Sequence, residues 1–296
     1  MFGTYLSPVA IEQALKTGDL PAIGPVEREI TPFFASLHAY VALAEQLPLP
    51  QLRELLDAHF DICSGEIESG GGMLDKFVGD AVVAMFGAPF QPADHALHAC
   101  VAALRCHARI RDLRARVHRE GDRWPARARE LRLRIGLHTG IAIVGPASPA
   151  PRVQFMMMGD TVNLAARLEA VAKSYGVWTL CTGATRDACL RADPDRVVFR
   201  PLGPIIVKGL LTPVELFEPV ALRADATAQL LDCLAEFEAG LTRFRSGDPD
   251  AARRRFERSA ALERDQPGSS PEIVTNPSLH YLSALRLAEQ PPGSEA

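Results

Sequence analysis

The chain has 296 residues, 47% of them apolar, and a formal net charge of −4. That length suits one large domain, or one domain with a small appendage, and the apolar share can form a sizeable core. No long basic block marks a nucleic-acid partner, because the run Arg253–Arg255 fits a solvated helix face.

The first part of the chain predicts a lead-in, a strand and two helices. Residues 1–28 form the lead-in, and residues 29–37 follow as a strand. Pro32 lies within that strand and is expected at an edge or a bulge, because it cannot donate to a ladder. Helical spacing of apolar residues then predicts helices at about 39–47 and 50–69.

The next part predicts a hairpin, a long helix and a second hairpin. Residues 73–87 form two strands that fold back at the Val78-Gly79-Asp80 turn. Asp94 is expected to cap a long amphipathic helix, which an Arg-rich connector follows. The Leu/Arg alternation of residues 131–140 predicts a half-buried strand that pairs with the "IAIVG" segment after it.

The rest of the main domain mixes strands with helices. We expect a strand at 152–158, a helix from Asp160 to about 173, a strand at 177–182, a helix at 184–191 and strands near 196–201, 205–208 and 214–219. Hairpins outnumber βαβ units. The pattern therefore predicts an α+β fold, with a mostly antiparallel central sheet and helices on one face.

The tail, residues 221–296, changes to an all-helical pattern with a turn at 246–250 and a last helix near 277–289. It resembles one tetratricopeptide (TPR) unit at the following positions: Ala239, Gly240, Leu241, Phe244, Gly247, Ala252, Phe256, Ala260 and Pro267. A single unit cannot bury its own faces and would have to pack on the main domain. A packing appendage is favoured, and a partner-binding groove is the alternative.

The cysteines and the hydropathy pattern indicate in which cellular compartment the chain is expected. The six cysteines form no CxxC pair and have no histidine at zinc-finger spacing, which predicts buried residues in a reducing compartment. No segment reaches about 18 consecutive apolar residues, and no signal peptide is evident. We expect a soluble cytoplasmic chain, or the cytoplasmic part of a larger membrane or sensor protein.

Four segments occur in the order "GGMLDKFVGDAVVAMFGAP", "LRIGLHTGIAIVG", "GDTVNLAARLE" and "LGPIIVKG". Together they resemble the class III adenylate/guanylate cyclase catalytic domain of bacterial type. The lead-in is similar to one seen in bacterial members, and a comparable helical tail follows the domain in some of them. The implied organisation is a lead-in at 1–28, a cyclase homology domain at 29–220 and the TPR-like tail at 221–296.

The resemblance implies a ferredoxin-like fold and a role in cyclic-nucleotide signalling. In that family the ribose 3′-hydroxyl of a nucleoside triphosphate attacks the α-phosphate, and pyrophosphate leaves. Two domains pair head to tail, as a homodimer or with another cyclase chain, and each active site draws on both. Two Mg²⁺ or Mn²⁺ ions, bridged by two aspartates, neutralise the developing charge. The expected substrate is ATP.

The resemblance assigns roles to four residues of the nucleotide site. Asp80 matches the second metal aspartate, although an aspartate is also common in such turns. Lys76 matches the lysine that recognises adenine. Arg134 and Lys208 match cations that hold the triphosphate, where positive charge suits phosphate oxygens.

Two further residues match the family's transition-state pair. Asn163 and Arg167 are four residues apart on one helix and therefore share a face. In the family they act on the ribose and on the charge that develops in the transition state. His138 and Thr139, which look like a catalytic pair, belong to a stretch that is structural in the family.

Three positions depart from the family pattern. Ser36 stands where the first metal aspartate belongs, and a neutral hydroxyl cannot bridge two magnesium ions. We expect a weakened metal site and a loss on the order of 10²-fold, since even outer-shell losses cost about 10–100-fold. Ala39 replaces a loop glycine, and Met156 replaces the Asp or Thr that works with the lysine in base selection.

These departures leave three hypotheses. The first is a working adenylate cyclase with an altered metal site. The second is a cyclase that is impaired as a homodimer but binds nucleotide, or that lends Lys76, Asn163 and Arg167 to a complete partner chain. The third is a non-catalytic interaction module that acts through the tail. The impaired cyclase is favoured.

Overall fold

The computed structural model describes residues 24–38, 40–147, 154–206, 212–264 and 276–289. The predictions for the lead-in up to residue 23, Ala39 and Lys208 lie outside the described residues. Within the described residues, no helix combines the length and the apolar character needed to cross a membrane.

The main domain mixes helices with hairpins of consecutive strands. Its elements are β1 (Val26–Leu37), α1 (Tyr40–Gln46), α2 (Leu49–Ser69), β2 (Met73–Val78), β3 (Ala81–Phe86), α3 (His95–Arg119), β4 (Leu133–Leu137), β5 (Gly140–Ala147), β6 (Gln154–Met158), α4 (Asp160–Tyr175), β7 (Thr179–Thr182), α5 (Gly183–Ala192), β8 (Val197–Ile205) and β9 (Val214–Leu222). The tail adds α6 (Ala228–Arg245), α7 (Pro249–Arg264) and α8 (Pro277–Glu289).

The strands form one sheet in the order β2-β3-β1-β4-β7-β9-β8. β5 pairs with the first half of β1 and carries β6 on its other side. Only the β4–β7 pair among these is parallel. This mixed, mostly antiparallel sheet with helices confirms the predicted α+β class.

The prediction that helices cover one face of the sheet is wrong. On one face, Phe33 and Ala35 of β1 share a core with Cys63 of α2 and Cys100 of α3. On the other face lies α4, so close that a Cβ on Gly136 of β4 would sit 2.3 Å from the Ala165 carbonyl oxygen. A glycine within a strand leaves room for a close neighbour but does not identify that neighbour. The sequence therefore could not reveal that a helix packs on this face of the sheet.

Pro32 lies in a central strand, opposite Met85 of β3. The expected edge position is therefore wrong. On the other side of β1, the ladder with β5 ends at Ile30 and the ladder with β4 begins at Phe33. Pro32 falls in that gap between partners, where no ladder donor is required.

Two smaller predictions also change. Asp94 precedes α3 but makes no side-chain capping bond, and its carboxylate instead lies 3.4 Å from His98 Nε2. The expected strand near 196–201 is longer, since β8 continues to Ile205 with a register shift between Pro201 and Gly203. Half of the strand expected at 205–208 lies outside the described residues. All six cysteines are buried and unpaired, which confirms the prediction of burial.

The tail packs on the main domain and shares a core with it. Phe237 of α6, Phe256 of α7 and Tyr281 of α8 form an aromatic cluster against Leu168 of α4 and Leu202 of β8. This contact confirms that the tail leans on the main domain. The likeness to a TPR unit stays a prediction.

A buried ion cluster reinforces the tail contact. Arg200 of β8 is 2% exposed and lies 2.9 Å from Glu263 of α7 and 3.3 Å from Glu218 of β9. The two carboxylates raise the pKa of Arg200 against the effect of its burial. Tail and sheet are thus joined by charge as well as by apolar packing.

Candidate functional site

The end of β1 and the β2–β3 turn meet at Asp80. The Leu37 backbone N–H donates to Asp80 Oδ2 over 2.8 Å. Gly79, with φ of +61°, provides the left-handed conformation that the turn needs. The predicted metal residues Ser36 and Asp80 are therefore neighbours at one end of the sheet.

A buried histidine of α2 holds the same turn by a hydrogen bond to its backbone. His59 of α2 is fully buried, and its Nε2 lies 2.8 Å from the Asp80 carbonyl oxygen, to which it donates. Its Nδ1 lies 3.5 Å from Cys63 Sγ. Asp80 is thus held through its backbone by α2 and through its side chain by β1.

Ser36 is tied to α4. Its hydroxyl donates to Glu169 Oε1 over 2.6 Å. Across the β1–β4 ladder Ser36 pairs with Arg134, so the two side chains lie on the same face of the sheet. The structure therefore brings Ser36, Asp80 and Arg134 together, as the sequence predicts.

Arg134 has two contacts with groups from other strand ends. Its Nη2 donates to His38 Nδ1 over 2.7 Å, and its guanidinium carbon lies 6.0 Å from the centre of the Trp178 ring. Burial lowers the pKa of Arg134, while Glu169 raises it. Burial, with Arg134 and Lys173 nearby, also lowers the pKa of His38.

Lys76 lies on β2, beside an acidic neighbour. Its Nζ is 3.4 Å from Asp75 Oδ2, and the Asp75 side chain is 3% exposed. Burial raises the pKa of Asp75, and Lys76 lowers it. A register shift in β2 between Leu74 and Lys76 accommodates the extra residue.

Met156 lies on β6, half buried and opposite Gly145 of β5. β6 approaches β2, the strand of Lys76, without pairing with it. The adjacent Met157 is buried in an apolar cluster with Ile30.

Asn163 and Arg167 are exposed on one face of α4. The opposite face of the helix places Leu164 and Leu168 in the core shared with the tail. Asn163 and Arg167 therefore share the exposed face of this helix.

His138 and Thr139 belong to a buried hydrogen-bond network. His138 Nδ1 lies 2.8 Å from Thr182 Oγ1, and Thr139 Oγ1 lies 2.9 Å from Thr31 Oγ1. These bonds join β1, β4 and β7. They agree with the structural role expected for this stretch.

The residues at the end of β1 do not fit a two-ion metal site. Asp80 has one oxygen engaged by the Leu37 N–H, and the Ser36 hydroxyl is engaged by Glu169. Across the part of the chain that the structure describes, no three His, Cys, Asp or Glu side chains cluster so as to hold a metal ion.

Sequence reasoning missed four residues around the site: His38, His59, Glu169 and Trp178. The sequence carries a local indication for Glu169. It lies two residues after Arg167, so the two side chains point to opposite sides of the helix and Glu169 is expected to face the sheet. The contacts of His59 and Trp178 join segments far apart in sequence. No local pattern predicts them.

The fold and this constellation define a nucleotidyl cyclase domain of class III. A family model described as the adenylate and guanylate cyclase catalytic domain matches residues 25–217. The chain belongs to this family.

Similar proteins come from several bacteria and include both base specificities. "Adenylate cyclase 1" of Rhizobium meliloti is 32% identical over 74% of this chain, which spans 31% of that relative. The crystal structure of the adenylyl cyclase CyaB from P. aeruginosa is 29% identical, with a TM-score of 0.60, over 69% of this chain and 99% of that one. The guanylyl cyclase Cya2 is 26% identical, with a TM-score of 0.57, over 67% and 95%. The chain spans about a third or less of the length of the curated relatives named adenylate cyclase.

Proposed function

We propose that this chain is a cyclase domain of cyclic-nucleotide signalling that binds a nucleoside triphosphate, with ATP favoured, and is catalytically impaired as a homodimer. The observation that carries the proposal is the engagement of the Ser36 hydroxyl with Glu169. Ser36 stands where the family has its first metal carboxylate. Its hydroxyl is neutral, and its hydrogen is already donated to Glu169. The family reaction, ATP to 3′,5′-cyclic AMP and pyrophosphate, would then be slow.

The other site residues supply binding and orientation. Arg134, together with Lys208, would hold the triphosphate by charge-assisted hydrogen bonds. Lys76 would meet the base, with Met156 in the place of a polar partner. A thioether gives little discrimination between the hydrogen-bonding edges of adenine and guanine.

Asn163 and Arg167 support a site shared between two chains. Both are exposed on one face of α4, where they could act on the ribose and the reacting phosphate of a partner's nucleotide. In a heterodimer with a complete cyclase, the missing carboxylate would disable only one of two sites. This chain would then lend Lys76, Asn163 and Arg167 to the intact metal site of its partner.

The test is cyclic nucleotide production by purified chain from ATP and from GTP, with Mn²⁺ or Mg²⁺. Ser36→Asp is the informative variant, and Ser246→Asp, at the exposed end of α6, controls for an added carboxylate. We expect little product from the wild type and from Ser246→Asp, and a gain of at least about tenfold from Ser36→Asp, given the size of metal-ligand effects.

Efficient turnover by the wild type, with no gain in Ser36→Asp, would show that impairment is the wrong conclusion. If both are silent, mixing the chain with a complete cyclase whose Arg167 equivalent is removed tests the heterodimer. Restored product in that mixture would support lending of Asn163 and Arg167.

A further inference from the structure

We infer that His38 and Trp178 are positioning residues that hold the Arg134 guanidinium in place for the phosphate chain of the nucleotide. The inference rests on the proposed nucleotide binding. It adds two residues for which the sequence suggested no role.

His38 is itself fixed by the sheet. Its backbone N–H donates to the Arg132 carbonyl over 2.9 Å, which continues the β1–β4 ladder one residue beyond Leu37. The ring therefore projects from an ordered position, and its Nδ1 accepts the Arg134 Nη2 hydrogen over 2.7 Å. A 2.7 Å separation is at the short end for such a bond and matches a charged donor.

Trp178 is the second residue that lies beside the Arg134 guanidinium. Its carbonyl accepts the Ile135 N–H over 2.8 Å, which fixes the segment just before β7 against β4. The indole ring lies 6.0 Å from the Arg134 guanidinium carbon, and its edge meets His38 with ring centres 5.3 Å apart. Residues from three strand ends thus converge on one guanidinium.

The Arg134 side chain still has binding capacity. Its Nε is buried and, among the described residues, has no hydrogen-bond partner. Glu169 is the carboxylate that raises the pKa of Arg134, and its Oε1 accepts a hydrogen bond from the Ser36 hydroxyl. The Arg134 side chain is half buried rather than enclosed, and a phosphate oxygen is the acceptor that a guanidinium suits best.

Holding this side chain before the ligand arrives should raise affinity. An arginine carries large rotamer freedom, and the cost of immobilising one such side chain on binding corresponds to about three- to tenfold in affinity. His38 and Trp178 would remove that cost in advance. Removing either should weaken phosphate binding through Arg134; Trp178 also lies 5.0 Å from the Arg132 guanidinium carbon, so the Arg134→Ala background described below isolates the effect that passes through Arg134.

The experiment measures binding of inorganic tripolyphosphate and of ATP to the full chain by calorimetry. We expect His38→Leu to weaken tripolyphosphate binding about fivefold, since the Arg134 side chain would lose its anchor. His38→Asn should stay within about twofold of the wild type, because the side-chain carbonyl can accept in place of Nδ1. Trp178→Leu should weaken binding about threefold by the same route, and His98→Leu, a half-exposed histidine of α3, should have no effect.

A double-mutant cycle isolates the positioning role. In an Arg134→Ala background, His38→Leu and Trp178→Leu should change tripolyphosphate affinity by less than about 1.5-fold, because the group that they position is gone. Thermal unfolding of every variant checks that it is folded. If His38→Leu fails to fold, the pair Trp178→Leu and His38→Asn still decides the question.

Equal losses with and without Arg134 would overturn the inference, as would a His38→Asn variant as weak as His38→Leu. A wild type that binds ATP but is unaffected by both His38→Leu and Trp178→Leu would overturn this inference alone. A wild type that binds neither ATP nor tripolyphosphate would overturn the proposed function together with it.

Discussion

The Ser36 hydroxyl donates a hydrogen bond to Glu169 Oε1 over 2.6 Å and thereby links the end of β1 to α4. The link crosses the face of the sheet on which Arg134 also lies. The same helix carries Asn163 and Arg167 on its exposed side. Ser36, the proposed counterpart of the family's first metal aspartate, thus helps to attach the helix that carries the proposed transition-state pair.

This bond should contribute measurably to stability. A hydrogen bond to a charged acceptor contributes about 1.5 kcal/mol or more. A double-mutant cycle with Ser36→Ala and Glu169→Ala, followed by urea unfolding, should return a coupling free energy of about that size. Ser246→Ala, which removes a hydroxyl that donates to a carbonyl at an exposed helix end, should cost less than about 0.5 kcal/mol. A cycle that returns no coupling would show that the Ser36 bond does not stabilise the fold.

His59 should fix the Asp80 turn. In His59→Leu the Asp80 carbonyl loses its buried donor, at a cost of about 1–3 kcal/mol in the free energy of unfolding. The local signature is faster hydrogen exchange of the Leu37 amide, because that amide donates to the Asp80 carboxylate. His98→Leu on α3 should leave the exchange unchanged. Unaltered Leu37 exchange in His59→Leu would show that the turn holds its place without the histidine.

Local patterns predicted the order of elements, whereas Ser36, Asp80 and Arg134 were singled out by the resemblance to the cyclase family. In the structure Ser36 pairs with Arg134 across a ladder, and Asp80 accepts from the Leu37 N–H. The sequence did not predict the second helical layer, since the only local trace of α4 on the sheet is the absence of a side chain at Gly136. It also placed Pro32 wrongly, because a change of strand partner within β1 is a property of the whole sheet.

The site residues divide in the same way. Asp80 and Arg167 were predicted because a motif surrounds each of them. Glu169, His59 and Trp178 act through partners that are distant in sequence, at separations such as 133 residues for the Ser36–Glu169 bond. Their roles could be seen only once the sheet had brought the strand ends together.

The buried cluster around Arg200 should be the strongest polar attachment of the tail. Arg200→Met would leave Glu218 without its neutralising partner in a buried position, and should destabilise the chain by about 3–5 kcal/mol. Arg245→Met is the matched control, because its pair with Glu215 is about half exposed and should contribute less than about 1 kcal/mol. Urea unfolding measures both. If the two variants destabilise the chain equally, burial does not make the Arg200 cluster a stronger attachment than the exposed Arg245–Glu215 pair.

Two half-buried histidines, His107 and His138, should make the chain sensitive to mild acid. Burial lowers the pKa of His107 and of His138 to about 4, from an ordinary value of 6.5, and at His107 Arg111 and Arg132 add to the effect. Because the folded-state pKa lies below the unfolded one, the unfolded chain binds protons that the folded chain excludes. The stability contributed by each neutral ring is complete above about pH 6.5 and is lost as the pH falls toward 4.

The expected result is a fall in the free energy of unfolding between about pH 6.5 and 5, approaching about 1.4 kcal/mol per pH unit for each histidine. Urea unfolding across this range, where most carboxylates remain ionised, gives the slope. His107→Gln should reduce the slope by about one proton. A His107→Gln slope equal to that of the wild type would show that His107 takes up its proton in the folded chain as readily as in the unfolded one.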